Sequence, residues 1–492
     1  MFQALLLLLV SVVCAVSETA DEFLGLADSA LSQGQYEQAI QYYREGIKIV
    51  SEEDALETEL SLYTNCGTAL STIGKDEEAV TMYEKAILSY QEQIEDIVDP
   101  SHQAYSKAII AQASFFLGMV YQDLDQPRDA VDAYRLAFKM DPLHWAAVAN
   151  LGGVLHDSLG NHRQALQAYN QAYAILMDQG REPTDPPDEP RYILSQLQYR
   201  IGLCITQDDR QRCALEDEPD KEVSCNEWAA HAFALAVEYD DSNESARHML
   251  AAVTADATMT RASNDYVKAL FDDYAGNFEH SLVQELGYTG YERLRVGFDR
   301  AFADQPIPKF KKAVDAGCGT GLVGEQFRNI TDYLIGVDLS EAIINEAIKL
   351  RPDLYDEVIA GDITEVFVNQ APLDLIVAAD SYIYFGDLDP LFDSMRKGLT
   401  SGGYAAFTME NVDTEAEASL EESKPDWRWQ LTASGRFAHR KEYVEEVSRK
   451  HGFRIFYYQA MNDFRYEKGQ GVRGHLFILQ RVQDGSSGSD EL

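Results

Sequence analysis

The chain has 492 residues, with Lys plus Arg 41 against Asp plus Glu 82 and a formal charge of −41. Nucleic-acid backbones and anionic membrane surfaces demand clustered positive charge, so both are excluded as partners of such a surface. A hydrophobic content of 46% excludes a disordered chain, and the length suits about two to four domains.

Ala4 to Val13 form an apolar run interrupted only by Ser11, followed by the small residues Ala15 and Ser17. This is the layout of a secretory signal peptide over residues 1–17. The run is shorter than the roughly 20 residues that span a bilayer.

A helical pattern then recurs. Its copies read Ala27, Gly34, Ala39, Tyr43, Gly46; then Gly67, Gly74, Ala79, Tyr83, Ala86; then Gly118, Asp125, Ala130, Tyr134, Ala137; then Gly153, Gly160, Ala165, Tyr169, Ala172. A partial fifth copy is Ala229, Phe233, Ala236, with Gly202 as its detached first glycine. Small residues let antiparallel helices approach, Gly or Asp turns the chain, and Tyr fills the space between neighbouring repeats. The pattern resembles the tetratricopeptide repeat, an all-α solenoid whose concave face takes extended peptides or protein surfaces. The stretch Pro183 to Pro190 reads as a loop. Cys204, Cys213 and Cys225 lie close together in an insertion at about 204–226. No CxxC pair or neighbouring His completes a zinc site, so one disulfide is expected there, its pairing open.

From Asn264 the pattern alternates helix and strand as far as Val482. The segment Lys312-Ala-Val-Asp-Ala-Gly-Cys-Gly-Thr-Gly321 is a strand ending at Asp315 and a turn with Gly317, Gly319 and Gly321. Further strands end at Asp338, at Gly361-Asp362-Ile363 and at Asp380. Acids at successive strand ends share one edge of a parallel sheet, where such folds bind ligands. Gly319, Gly321 and Gly324 also satisfy the dinucleotide fingerprint GxGxxG. Asp315 opposes that reading, because a carboxylate before the turn repels a pyrophosphate and favours a cationic ligand.

This order of motifs resembles class I S-adenosylmethionine-dependent methyltransferases, an α/β Rossmann-like fold. With Asn264 to Phe278, Ala378 to Leu388 and Gly435 to His439, it resembles the predicted methyltransferases that carry tetratricopeptide repeats. The resemblance implies S-adenosylmethionine as cofactor. It implies Gly317, Gly319 and Gly321 under the methionine part, Asp315 facing its amino group, and Asp338 with Leu339 at the ribose. It further implies Asp362 on the adenine amine with Ile363 against the ring. Ala379 and Asp380 would border the methyl-transfer position, and Tyr274 and Phe278 would belong to a lid helix. Asp380, Tyr382, Glu410 and His439 are the candidate bases, and Arg436, Arg440 and Arg465 the candidate anchors for an anionic substrate. No metal is implied.

The tail after Gly485 ends Ser489-Asp490-Glu491-Leu492, which resembles an endoplasmic-reticulum retrieval signal with Ser489 in place of Lys or His. Sequons stand at Asn243 and Asn329. The expected organisation is a signal peptide at 1–17, repeats at 18–255, a methyltransferase domain at 256–482 and a tail at 483–492. The expected function is a lumenal methyltransferase whose repeats recruit a protein partner or substrate. The alternatives are a carboxylic-acid methyltransferase with repeats for assembly, and a lumenal scaffold with a relict fold.

Overall fold

The computed structural model describes residues 19–50, 56–178, 189–207, 212–214, 222–276, 279, 282–283, 287–463, 465–467 and 470–483. The leader-like residues 1–17, the tail from 484 and Phe278 lie outside them. Among the described residues no helix is long and apolar enough to cross a membrane. The chain divides into two compact units, Met1–Asp208 and Asp209–Leu492.

The first unit is a series of helical hairpins: Ala20–Ser32 with Tyr36–Ile49, Leu56–Thr72 with Asp76–Gln93, and Pro100–Asp123 with Pro127–Met140. Trp145–Gly153 follows, extended by a π-helical turn at Val154–Ser158 and paired with His162–Asp178; Glu189–Gln207 comes last. Gly34, Gly74, Gly160 and Asp125 all take positive φ at the hairpin turns, the conformation that glycine adopts at least cost. The repeat tyrosines lie on small residues of their own hairpin. A Cβ on Gly67 would meet Tyr83 at 2.8 Å, and one on Gly118 would meet Tyr134 at 2.6 Å. The tyrosine therefore packs first within its repeat. It also reaches the next one, as Tyr83 does toward Phe116, with ring centroids 6.4 Å apart. In the fourth copy Tyr169 faces Gly152 at 2.8 Å, and Gly153 only at 3.8 Å.

The second unit begins with a short antiparallel hairpin, β1 (Arg212–Ala214) and β2 (Glu222–Ser224). Cys225, which is disulfide-bonded, opens the helix Cys225–Tyr239, whereas Cys204 is a free thiol. The helix Glu244–Val253 follows. Both helices fall with the C-terminal unit in the division at Asp208, although the first of them carries the partial fifth repeat.

The sheet is built from β3 (Phe310–Ala316), β4 (Thr331–Asp338), β5 (Glu357–Ala360), β6 (Leu373–Ala378) and β7 (Leu399–Glu410). Two small strands, β8 (Trp429–Leu431) and β9 (Phe437–His439), join beside β7. It is completed by β10 (Phe453–Met461) and, after a minor hairpin of β11 (Tyr466–Glu467) and β12 (Gln470–Gly471), by β13 (Gly474–Arg481). The strand order is β10-β13-β7-β6-β3-β4-β5. Strands β3 to β7 are parallel, and β13 is antiparallel to both β7 and β10. The apolar runs of the central strands bury side chains on both faces. Val314, Ile335 and Phe407 pack on one side, and Ala313, Leu334 and Leu375 on the other. The chain runs outward from β3 to β5, then returns to β6 on the other flank. That reversal leaves a crevice beyond the carboxyl ends of β3 and β6.

Candidate active site

The crevice at that reversal is a cavity lined by Gly317, Gly319, Asp338, Leu339, Asp362, Ile363, Ala379 and Asp380, among others. Gly319 takes φ +52, which turns its N–H toward the Asp338 carboxylate at 3.0 Å. The other oxygen of Asp338 accepts the Ser340 N–H at 3.1 Å. Burial raises its pKa, and these backbone donors oppose the shift. Each oxygen keeps a further lone pair, so the residue suits two hydroxyl donors in the cavity.

Asp362 is more fully engaged. It caps the helix Ile363–Asn369, with one oxygen accepting both the N–H and the hydroxyl of Thr364. Its second oxygen accepts from Arg261 at 2.6 Å and from Asn264 at 3.2 Å. Burial would raise its pKa, but the bonds from Thr364 and Arg261 outweigh it and hold the carboxyl below the ordinary value. Four acceptor positions are thus filled, and an adenine amine would have to displace Arg261 or Asn264 to reach it.

Asp315 is fully buried and is not among the lining residues. Its Oδ2 accepts from the Tyr355 hydroxyl at 2.7 Å, and burial pushes the carboxyl up to about 7. Gly321 is likewise set back from the cavity. It takes φ +100 at the start of the helix Leu322–Phe327, where a Cβ would meet Leu354 at 2.7 Å.

Asp380 stands at the end of β6 with φ 57, its N–H donated to the Thr408 hydroxyl at 3.0 Å. Its Oδ2 accepts from Arg465 at 2.8 Å, and Arg465 also pairs with Glu410. Its Oδ1 is buried without a hydrogen-bond partner. The other two candidate bases are elsewhere. Tyr382 is fully buried in the core beside Phe407, its hydroxyl 3.4 Å from the Met395 sulfur. His439 is fully buried, with Nε2 3.2 Å from the Gly386 carbonyl, and burial pushes it down to about 4. Neither lines the cavity, so neither is placed to take a proton from an acceptor there. Arg436 and Arg465 line the cavity, and Arg440 does not.

The helix Asn264–Tyr274 closes one side, through Asn264, Val267 and Phe271. That spacing of three and then four residues puts them on one face; the side chain of Tyr274, like Phe278, lies outside the described residues. Arg261 and Tyr288 complete the wall and carry no motif. An antiparallel bridge between Arg261 and Phe385 and the ion pair with Asp362 hold Arg261 there.

The residues fit S-adenosylmethionine: a carboxylate with spare acceptors for ribose at Asp338, and at Asp380 a buried carboxylate oxygen without a partner, which suits a cationic centre. Bound there, the cofactor supplies an electrophilic methyl group.

Comparison with known proteins agrees. Residues 288–457 match the methyltransferase-domain family, and residues 19–92 and 117–180 match tetratricopeptide-repeat families. A malonyl-[acyl-carrier protein] O-methyltransferase of Enterobacter lignolyticus is 28% identical over 137 residues, 28% of this chain and 52% of that protein. A trans-aconitate 2-methyltransferase of Rhizobium leguminosarum is 25% identical over 205 residues, 38% of this chain and 77% of that protein. The chain thus spans about half the length of the first relative. Among solved structures, magnesium protoporphyrin IX methyltransferase from Synechocystis with bound S-adenosylhomocysteine is 14% identical, covering 44% of this chain and 99% of that one at a TM-score of 0.32. The chain joins tetratricopeptide repeats in its N-terminal half to a methyltransferase domain in its C-terminal half.

Proposed function

We propose that the chain is an S-adenosylmethionine-dependent methyltransferase of the endoplasmic-reticulum lumen, whose repeats recruit a protein partner or substrate. The observation that carries the activity is Asp338: a strand-end carboxylate in the cavity wall, fixed by the Gly319 N–H at 3.0 Å and still able to accept hydroxyls. Methyl transfer is an in-line displacement, so positioning supplies most of the acceleration. Leu339, Ile363 and Phe271 give the cavity apolar walls, which exclude water from the reacting atoms. Asp380, held by Arg465, is the group placed to take a proton from an acceptor.

The name of one relative, a trans-aconitate 2-methyltransferase, favours a second reading, in which the acceptor is a small carboxylic acid. The lumenal placement is supported by the disulfide at Cys225, since such bonds persist in oxidising compartments. Calorimetry with S-adenosylhomocysteine and the full chain tests the activity. Binding is expected, and Asp338→Ala should weaken it by about tenfold or more, because hydrogen bonds to a charged group are worth about 1.5–3 kcal/mol each. Folded wild-type protein that binds nothing is a scaffold with a relict site.

A further inference from the structure

The carboxylates that line the cavity are not equally open to a ligand. Asp338 keeps acceptor positions for hydroxyls, whereas the chain itself fills those of Asp362. Arg261 and Asn264, both in the cavity wall, close a ring of bonds on it. Arg261 Nη2 donates to Asp362 Oδ2 at 2.6 Å and to Asn264 Oδ1 at 3.0 Å, and Asn264 Nδ2 donates to the same Asp362 oxygen at 3.2 Å. The other Asp362 oxygen is committed to Thr364 in the helix cap. A donor arriving from the cavity therefore has to compete for Oδ2.

The ring of bonds can open while the backbone stays in place. Arg261 forms an antiparallel bridge with Phe385, the Ala262 N–H donates to the Tyr384 carbonyl at 2.9 Å, and the Thr260 carbonyl accepts the Gly386 N–H at 2.8 Å. These bonds pin residues 260–262 on both sides of the arginine. Its guanidinium lies over the Phe385 ring, 4.4 Å from the centroid, and its side chain is 35% exposed. It thus has two alternatives to Asp362, the face of the ring and water.

Resting on the methyltransferase reading above, we infer that Arg261, joined by Asn264, is a latch that competes with the adenine amine of the cofactor for Asp362. In the free protein the latch is shut. The cofactor binds fully only to molecules in which Oδ2 is released, so its apparent affinity is lowered by that fraction. On entry the amine takes Oδ2, and the guanidinium remains on Phe385. On departure the latch recloses, which favours exchange of S-adenosylhomocysteine for fresh cofactor. Both carry the adenine, so both are weakened alike.

The probe is S-adenosylhomocysteine, titrated calorimetrically into the full chain and into Arg261→Met and Asn264→Ala. Arg261→Met should bind about three- to tenfold tighter than wild type, the range expected for losing a competing ion pair that is part exposed. Asn264→Ala should also bind tighter, by less, because the neutral bond is the weaker competitor. Salt screens a part-exposed pair. Raising NaCl from about 50 to about 500 mM should therefore strengthen binding to wild type relative to Arg261→Met. If Arg261→Met binds equally or more weakly, the latch is overturned and the methyltransferase reading stands. A salt response equal in the two proteins overturns it as well. If no protein binds the probe, the methyltransferase reading falls and takes the latch with it. Should Arg261→Met fail to fold, Asn264→Ala decides: tighter binding supports the latch, and unchanged or weaker binding overturns it.

Discussion

Gly324 lies beneath Tyr355, where a Cβ would stand 2.5 Å from the phenol oxygen. Gly336 on β4 meets the same ring at 3.0 Å, so the two glycines make room for one tyrosine whose hydroxyl donates to Asp315. The third glycine of the apparent GxGxxG triplet is therefore explained by packing, with no pyrophosphate required. Sequence shows an acid before a glycine turn. It does not show that the acid is sealed under the turn, because its partner lies 40 residues on. His439, a candidate base by sequence, shows the same limit: the histidine is visible along the chain, its burial is not. That burial gives a measurable outcome. Its pKa is pushed down to about 4, against an ordinary 6.5, so the folded state disfavours the charged ring. The stability contribution is present above pH 6.5 and is lost as pH falls toward 4. A shift of this size corresponds to about 3 kcal/mol at full extent. We expect His439→Gln, which keeps a donor for Gly386, to be less sensitive to acid across that window. Urea titrations at pH 7 and pH 5, followed by tryptophan fluorescence, check it; parallel losses in both proteins would dismiss the idea.

At the scale of elements, the repeat offsets were legible because they are local. A small residue sixteen before the tyrosine holds for Ala27 with Tyr43, Gly67 with Tyr83 and Gly118 with Tyr134. The fourth copy keeps that offset on paper with Gly153, yet Gly152 is the residue under Tyr169. The π-helical turn at Val154–Ser158 explains the slip, since its wider ring absorbs one extra residue before the hairpin turn. Nothing in composition marks a π turn, so a count along the chain lands one position off. Gly152→Ala should therefore destabilise the N-terminal unit by about 1–3 kcal/mol through overpacking. Gly153→Ala has space and should be neutral, or stabilising by up to about 1 kcal/mol through helix propensity. Thermal melts of the two variants should order them that way, and the reverse order would place the close contact at Gly153. Strand ends were legible by the same locality: β4 ends at Asp338 as expected, and β3 runs one residue past Asp315. The division of the chain was not, since it depends on which helices pack together, and Cys225–Val253 falls with the C-terminal unit.

For the whole molecule, the charge of −41 first excluded partners; the structure shows how few of those acids the site occupies. Asp338, Asp362 and Asp380 line the cavity at the sheet edge, and most of the surplus is solvated surface. Long-range repulsion of that size disfavours an acidic protein partner. The lumenal proposal, too, can be sharpened by what each sequon does in the fold. Asn243 is 8% exposed, and its side chain caps the helix Glu244–Val253 by accepting the Ala246 N–H at 2.9 Å. A glycan on that amide would need the cap to open. Asn329 is exposed just before β4, where its Oδ1 accepts from Arg295 at 3.0 Å and the amide nitrogen is the glycan-bearing atom. If the chain enters the lumen, it should carry one N-linked glycan, at Asn329. Endoglycosidase digestion of protein from cells should then shift its mobility, and Asn329→Gln should abolish the shift. Asn243→Gln should keep the glycan but cost about 1 kcal/mol of stability through loss of the cap. Cytosolic protein that still carries residues 1–17 and no glycan would remove the lumenal placement, while leaving the affinity of Asp338 for the cofactor to be judged by binding alone.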